Sequence, residues 1–267
     1  MYEEPSYFSA AADAHDELDR LRLLEHEYDP STIRHLTDLG VGEGWQCLEV
    51  GPGAGSIARW LGERVGATGR VVAADIDPRF LGDLDEPNIE IRRLDIVRGE
   101  LDTATYDLAH CRFLLMHTPA PEAVLRRMIS ALRPGGWVLV EEPDHVSVEA
   151  VDDNHPLAEK FNTAFRNRIR LVDEAGIMNL RMGRSLPSLM ANVGLVEVGN
   201  EGVARIARGG DTTSLVQIPT WAAIDNRLLR DRLMSKAESA GTRQALEDPT
   251  FLYREQLMQA VWGRRPA

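Results

Sequence analysis

The chain has 267 residues, 43% of them hydrophobic, enough for one large α/β domain or a domain with an added cap. Forty-two acidic residues against 30 basic ones give a formal net charge of -12, which repels polyanions and argues against a nucleic-acid substrate. No apolar run reaches the ~18 residues of a membrane span. The acidic opening "MYEEPSYFSAAADAHDELDR" lacks a basic-then-apolar export pattern, so a cytoplasmic protein is expected.

Residues 10–39 read as two helices, with Leu18, Leu21 and Leu24 and then Ile33, Leu36 and Leu39 at helical spacing. "EYDPST" is the expected break between them, and Gly40, Gly42 and Gly44 end the second. From Cys47 short apolar runs alternate with helical segments: strand "QCLEV", helix "SIARWLGERVG", strand "RVVAADI" and short helix "PRFLGDL". "IEIRRLDI" and "YDLAHCRF" follow, then helix "PEAVLRRMISAL", turn "RPGG" and strand "WVLVEEP". This alternation predicts a parallel sheet with helices on both faces. Residues 156–175 form an amphipathic helix bearing Leu157, Phe161, Phe165, Ile169 and Val172. Helix "SLPSLMANVG", strand "LVEVGNEGVARIA", a helical stretch over 212–246 and an apolar strand "LYREQLMQAVWG" complete the chain. Cys47 and Cys111 fall in strand-like segments and read as buried free thiols.

The turn "GPGAGS" joins the first strand to a helix, so helix-terminal N–H groups and the helix dipole face whatever binds there. A dinucleotide fingerprint requires Gly or Ala at the third position, where this chain has Ser56. Glu49 adds a negative charge beside the turn. It disfavours a pyrophosphate and suits a cationic ligand such as S-adenosylmethionine (SAM), which carries a sulfonium and an ammonium and no phosphate.

"LEVGPGAGSIARWLGERVG", "RVVAADIDPRFL", "IEIRRLDIV" and "YDLAHCRFLLMHTPAPEAVLRRMISALRPGGWVLVEEP" together resemble successive motifs of the class I SAM-dependent methyltransferases, small-molecule branch. The resemblance is dense over 45–143 and looser over 185–263. It implies an α/β, Rossmann-like, doubly wound seven-stranded sheet, mostly parallel with an antiparallel last strand, plus helical cap inserts. The implied layout is N-terminal helices over the cofactor site (1–44), a SAM-binding core (45–150) and a helical lid insert (151–184). A continuation of the core (185–211), a second helical insert (212–247) and the last core strand with a tail (248–267) follow. It further implies that Glu49, Gly51, Gly53 and Gly55 line the methionine and ribose portion of SAM. Asp75 takes the ribose hydroxyls, Ile76 packs on adenine, Asp95 with Ile96 meets the adenine amino group, and His110, Cys111 and Arg112 pass the methionine.

The donor is already activated, so alignment and dehydration supply much of the acceleration. A base is needed only where the acceptor loses a proton. His145 and Asp144, after the fifth strand, are the first base candidates, with His117 next; His155, His15 and His26 fit loop or surface positions better. No metal-ligand cluster appears, so no metal is expected. Phe161, Phe165, Met178, Met182 and Trp221 suit an apolar acceptor pocket, and Arg166, Arg168 and Arg170 a substrate carboxylate. The expected protein is a monomeric or homodimeric methyltransferase acting on a small, largely apolar metabolite, at oxygen ahead of carbon or nitrogen. A SAM-fold enzyme that cyclises or decarboxylates, and a SAM-binding regulatory module, share the same cofactor motifs.

Overall fold

The computed structural model describes residues 14–267; the expected helix start at residue 10 and the side chain of His15 lie outside the described residues. These residues divide into two compact units. The sheet unit comprises 28–143, 181–202 and 258–267; the helical unit comprises 14–27, 144–180 and 203–257.

In the sheet unit the predicted alternation is realised. Strands β1 (Gln46–Val50), β2 (Arg70–Asp75), β3 (Ile89–Arg93), β4 (Tyr106–Arg112) and β5 (Leu132–Asp144) come with helices α2 (Ser56–Val65) and α3 (Pro121–Ala131). Helix α5 (Met182–Ala191) and strands β7 (Val196–Val203) and β10 (Leu257–Arg264) complete a seven-stranded sheet of order β3-β2-β1-β4-β5-β10-β7. β1 pairs parallel with both β2 and β4, with Glu49 opposite Ala73 on one side and His110 on the other. Strand order therefore reverses at the β1/β4 junction, where open sheets of this kind bind ligands. β10 enters antiparallel: Gly135 N–H donates to Arg265 O, and Arg265 N–H to Gly136 O, each at 2.9 Å.

Several expected elements are corrected by the backbone. "EYDPST" does not break the N-terminal segment, since α1 runs unbroken from Ala14 to Asp38 with Pro30 inside it. Pro30 removes one helical donor, while the Ser31 and Thr32 hydroxyls both donate to Tyr28 O and hold that turn. "RPGG" is not a turn. It is the irregular first part of β5, where the register with β4 shifts between Tyr106 and Leu108 and Gly135 takes φ +81°. The terminal apolar strand is two strands, β9 (Leu252–Arg254) and β10, and "LVEVGNEGVARIA" likewise splits into β7 and β8 (Ile206–Arg208).

One face of the sheet receives the C-terminal half of α1. Leu36 is fully buried in a cluster with Cys47, Leu108, Leu139 and Ala260 from the strands. Both cysteines are buried free thiols, as expected.

The helical unit gathers the segments predicted as separate inserts. α4 (Ala158–Glu174) packs with α6 (Thr212–Arg230) and α7 (Lys236–Glu247), so the predicted 212–246 stretch is two helices. A three-stranded antiparallel sheet of order β6-β9-β8, where β6 is Glu149–Ala150, was not expected from the sequence. Its strands are too short to carry a readable alternation.

Leu36→Ala should lower unfolding stability by about 2–5 kcal/mol in urea denaturation, because the emptied volume is enclosed by sheet and helix. Leu215→Ala, at a position 47% exposed, should change it by less than about 0.5 kcal/mol.

Candidate cofactor and acceptor site

The turn after β1 is shaped by its glycines. Gly51, Gly53 and Gly55 adopt φ of +70°, +63° and +95°, a region closed to most side chains. A Cβ on Gly55 would lie 2.9 Å from Leu84 Cδ1, so that position also needs the missing side chain. The turn delivers the first N–H groups of α2 to the carboxyl edge of the sheet.

At the end of β2, Asp75 Oδ1 accepts from Asp77 N–H at 2.8 Å, and burial pushes its carboxyl up from the ordinary aspartate value. Ile76 beside it is 50% exposed, an apolar surface at the mouth of the strand. At the end of β3, Asp95 Oδ1 accepts from Val97 N–H at 2.8 Å, and Ile96 is buried. Two carboxyls fixed by their own turns, an exposed isoleucine and an open glycine turn thus collect along one edge. They offer the acceptors and the apolar face that an adenosine ligand needs.

Glu49 is held inside the sheet. It is buried, and its Oε2 lies 2.6 Å from His110 Nδ1. His110 Nε2 in turn lies 3.3 Å from Glu141 Oε2, and Glu141 Oε1 lies 2.9 Å from His35 Nδ1 on α1. His35 Nε2 reaches Glu201 Oε2 on β7 at 2.8 Å, and Glu201 is paired with Arg34. Thr32 donates to Glu141 at 2.5 Å, and Arg112 donates to Thr32 and Asp29, each at 2.8 Å. Glu49, His110 and Arg112, expected to line the methionine portion of the cofactor, are joined in one ionic chain. Glu141, His35, Thr32 and Glu201 were missed. The signal available was "VLVEEP", two adjacent acids in an apolar strand, which must face opposite sides and each find a partner.

The second of these acids faces the other way. Glu142 accepts from the N–H groups of Leu114 at 2.8 Å and Leu115 at 2.6 Å. It thereby fixes the chain after β4, where Phe113 takes φ +55°, a costly conformation for a ring-bearing residue.

Two short turns carry the base candidates. His117 is exposed at the end of a short 3₁₀ turn, Leu115–His117. Asp144 is buried and caps the next 3₁₀ turn, its Oδ1 accepting from Val146 N–H at 3.1 Å. His145, also buried, packs edge-on against Trp221 with ring centroids 5.2 Å apart. His26 is exposed, and His155 contacts Thr250 in a loop. Among the described residues no group of three potential ligands is placed to hold a metal.

Phe161, Phe165, Trp221 and Met178 are buried in the helical unit, where Phe165 meets Phe161 at 4.9 Å and Trp221 at 5.0 Å. The arginine trio separates. Arg166 and Arg170 are exposed, while Arg168 is fully buried between Phe165 and Trp221 and grips Asp225 through Nε at 2.8 Å and Nη2 at 3.0 Å. Truncating one partner of such a pair strands a charge, at about 3–5 kcal/mol.

Burial works against an imidazolium at His110, but Glu49 and Glu141 outweigh it and raise its pKa to about 9. Burial also opposes the charged form of Glu141, and His110 and His35 nonetheless hold that carboxyl far below the ordinary glutamate range. The stability that His110 contributes is fully present below the ordinary histidine value, ~6.5, and is lost as pH rises through about 9. Urea denaturation should therefore show unfolding stability falling between pH 6.5 and 10, with about 3 kcal/mol of the fall belonging to His110 and a further part to buried Glu142, raised to about 8. His110→Gln should remove the His110 share and leave that of Glu142, while lowering stability at pH 7.

The methyltransferase-domain family model matches residues 11–198. A methyltransferase of Strobilurus tenacellus, str2, is 30% identical over 110 residues, 41% of this chain and 39% of that relative. The ubiquinone/menaquinone biosynthesis C-methyltransferase UbiE of Pseudomonas fluorescens is 28% identical over 190 residues, 64% of this chain and 74% of its own length. The alignments with the first five curated relatives span between 39% and 50% of those proteins. Among solved structures, Haemonchus contortus phosphoethanolamine N-methyltransferase 2 in complex with S-adenosyl-L-methionine superposes with a TM-score of 0.56 at 15% identity. That match covers 97% of this chain and 61% of the other, and it shows the shared fold. With the model matched over most of its length and the glycine turn, strand order and edge carboxyls in place, this chain belongs to the methyltransferase-domain family of class I SAM-dependent enzymes.

Proposed function

We propose that this chain transfers the methyl group of SAM to a small, largely apolar metabolite, at an acceptor oxygen, in natural-product biosynthesis. The observation that carries the reading is the positive-φ glycine turn at the β1/β4 reversal, flanked by Asp75 and the exposed Ile76. Gly51, Gly53 and Gly55 admit the methionine portion close to the backbone, Asp75 holds the ribose hydroxyls, and Asp95 with Ile96 receives the adenine edge. SAM supplies an activated methyl group, so the protein's tasks are orientation and exclusion of water.

The preference for oxygen rests on His145, the imidazole nearest in sequence to the carboxyl end of β5. A hydroxyl acceptor must lose its proton, and a neutral imidazole can take it. Asp144 orients the turn that carries His145. Phe161, Phe165, Met178 and Trp221 supply an apolar, polarizable surface for the acceptor. The relatives include proteins named as ubiquinone biosynthesis O-methyltransferase and as C-methyltransferase, which supports a small acceptor and leaves the choice of atom to His145.

The direct test is incubation of the full chain with SAM and a panel of apolar phenols and enols. Formation of S-adenosylhomocysteine with a one-methyl mass gain on the acceptor is expected. SAM binding without turnover on any acceptor would favour a regulatory module, and acceptor conversion without S-adenosylhomocysteine a cyclising or decarboxylating enzyme.

Two variants refine the assignment. Asp75→Ala removes hydrogen bonds to a charged acceptor and should weaken SAM roughly tenfold or more in calorimetry. Unchanged affinity, or tight NADH binding by the parent, would overturn the cofactor site. Phe165→Leu retains an apolar side chain and should raise the KM for acceptor while SAM affinity stays unchanged. If it lowers only stability, the aromatic group is core and the acceptor binds elsewhere.

A further inference from the structure

The ionic chain runs from the interior of the sheet to the surface. From Glu49 it passes through His110, Glu141 and His35 to Glu201 without a gap longer than 3.3 Å. The first four groups are buried, and the Glu201 side chain is 39% exposed. One end therefore lies inside the sheet, two residues and about 7 Å of strand before Gly51, and the other end meets solvent.

With both imidazoles protonated, the charges of Glu49, His110, Glu141, His35, Glu201, Arg34, Arg112 and Asp29 sum to zero. Loss of one proton makes the sum negative by one, next to the turn that takes the methionine portion. SAM and its product S-adenosylhomocysteine share adenosine, ammonium and carboxylate; they differ by one methyl group and the positive charge on sulfur. Ions in solvent screen little at a buried pair, so that single charge is felt at Glu49 and His110.

We propose that this chain is a specificity device of the cofactor site: it gives one proton to solvent when the sulfonium cofactor binds and regains it when the neutral thioether takes its place. The N–H bond at His110 Nε2 breaks and Glu141 takes the proton. His35 Nε2 gives its proton to Glu201, which hands it to water; the ring, still carrying its Nδ1 proton, turns over and the freed Nε2 takes the proton from Glu141. His110 is left neutral, with its Nδ1–H still donated to Glu49. His110 acts through Glu49 and is a positioning residue. The inference rests on SAM being the cofactor.

The surrounding groups leave His110 as the responsive one. Arg112 is fixed by Asp29 and Thr32, and Arg34 by Glu201. The thiols of Cys47 and Cys111 are pushed up by burial and stay protonated. Glu142, raised by burial to about 8, titrates in the same range, but it faces the opposite side of the sheet toward the Leu114 and Leu115 N–H groups.

The experiment is calorimetric titration of the full chain with SAM and with S-adenosylhomocysteine, in two buffers of different ionisation enthalpy, between pH 7.5 and 9.5. Near pH 8.5, SAM should release more protons on binding than S-adenosylhomocysteine does. The affinity ratio favouring SAM should rise at least about fivefold across the range. The sulfonium makes the ammonium of SAM more acidic than that of S-adenosylhomocysteine, so each free ligand is titrated alone and its own proton release subtracted. In His110→Gln both effects should vanish. Equal proton release by the two ligands in the parent protein overturns the proposal, whether or not the variant folds. Persistence of the difference in His110→Gln overturns it too. Absence of SAM binding at every pH would instead sink the cofactor reading on which it rests.

Discussion

The pairing of Glu49, His110, Glu141 and His35 is the constraint around which the sheet unit is assembled. Four ionisable side chains at 5% exposure or less cannot remain charged alone in an apolar interior. Each must therefore meet its partner with the geometry found here. That requirement fixes the register of β1 against β4, which sets Glu49 opposite His110. It also fixes β4 against β5, which sets Arg112 opposite Glu141. A one-residue slip of any strand would send its charge to the other face. The same requirement orients α1, because Thr32 and His35 complete Glu141 while Leu36, one residue on, enters the apolar cluster.

The ligand edge inherits this order. β1 and β4 are held in register by the Glu49–His110 pair, and beyond their carboxyl ends the chain turns through three glycines on one side and the strained Phe113 on the other. Glu142, one residue from Glu141 and on the opposite face, secures the segment after β4. Adjacent acids in one strand thus do two jobs, one inside the charge chain and one beneath a loop. Alternation of side chains along a strand makes this possible. Asp75 and Asp95 repeat a simpler device, each using one oxygen to close its own turn at a strand end.

The helical unit solves the burial of charge differently. Arg168 is matched by one bidentate carboxylate, by the Thr242 hydroxyl at 3.1 Å and by two aromatic faces. A planar guanidinium fits between rings as an ammonium would not. The aromatic residues read from α4 as an acceptor surface therefore also carry the packing of this unit.

The sequence by itself determined the order of strands and helices from Cys47 to Pro143, because strand and helix periods differ and Gly and Pro mark the changes between them. It also placed the glycine turn, and the resemblance to the class I methyltransferases pointed to Asp75, Ile76, Asp95 and Ile96, which the fold sets at or just beyond the ends of β2 and β3. Tertiary structure decided what lies far apart in the chain. His35 and Glu141 are separated by 106 residues and His35 and Glu201 by 166, and nothing local to any of them reveals the match. Pro30 inside α1 and the glycines inside β5 gave strong local stop signals, which packing and an antiparallel neighbour overrode. Arg168 looked like its neighbours Arg166 and Arg170 until the fold chose which face of α4 to bury. Periodicity is a local property and was legible. The pairing of buried charges belongs to the fold, because each side chain is acceptable only once its distant partner has arrived.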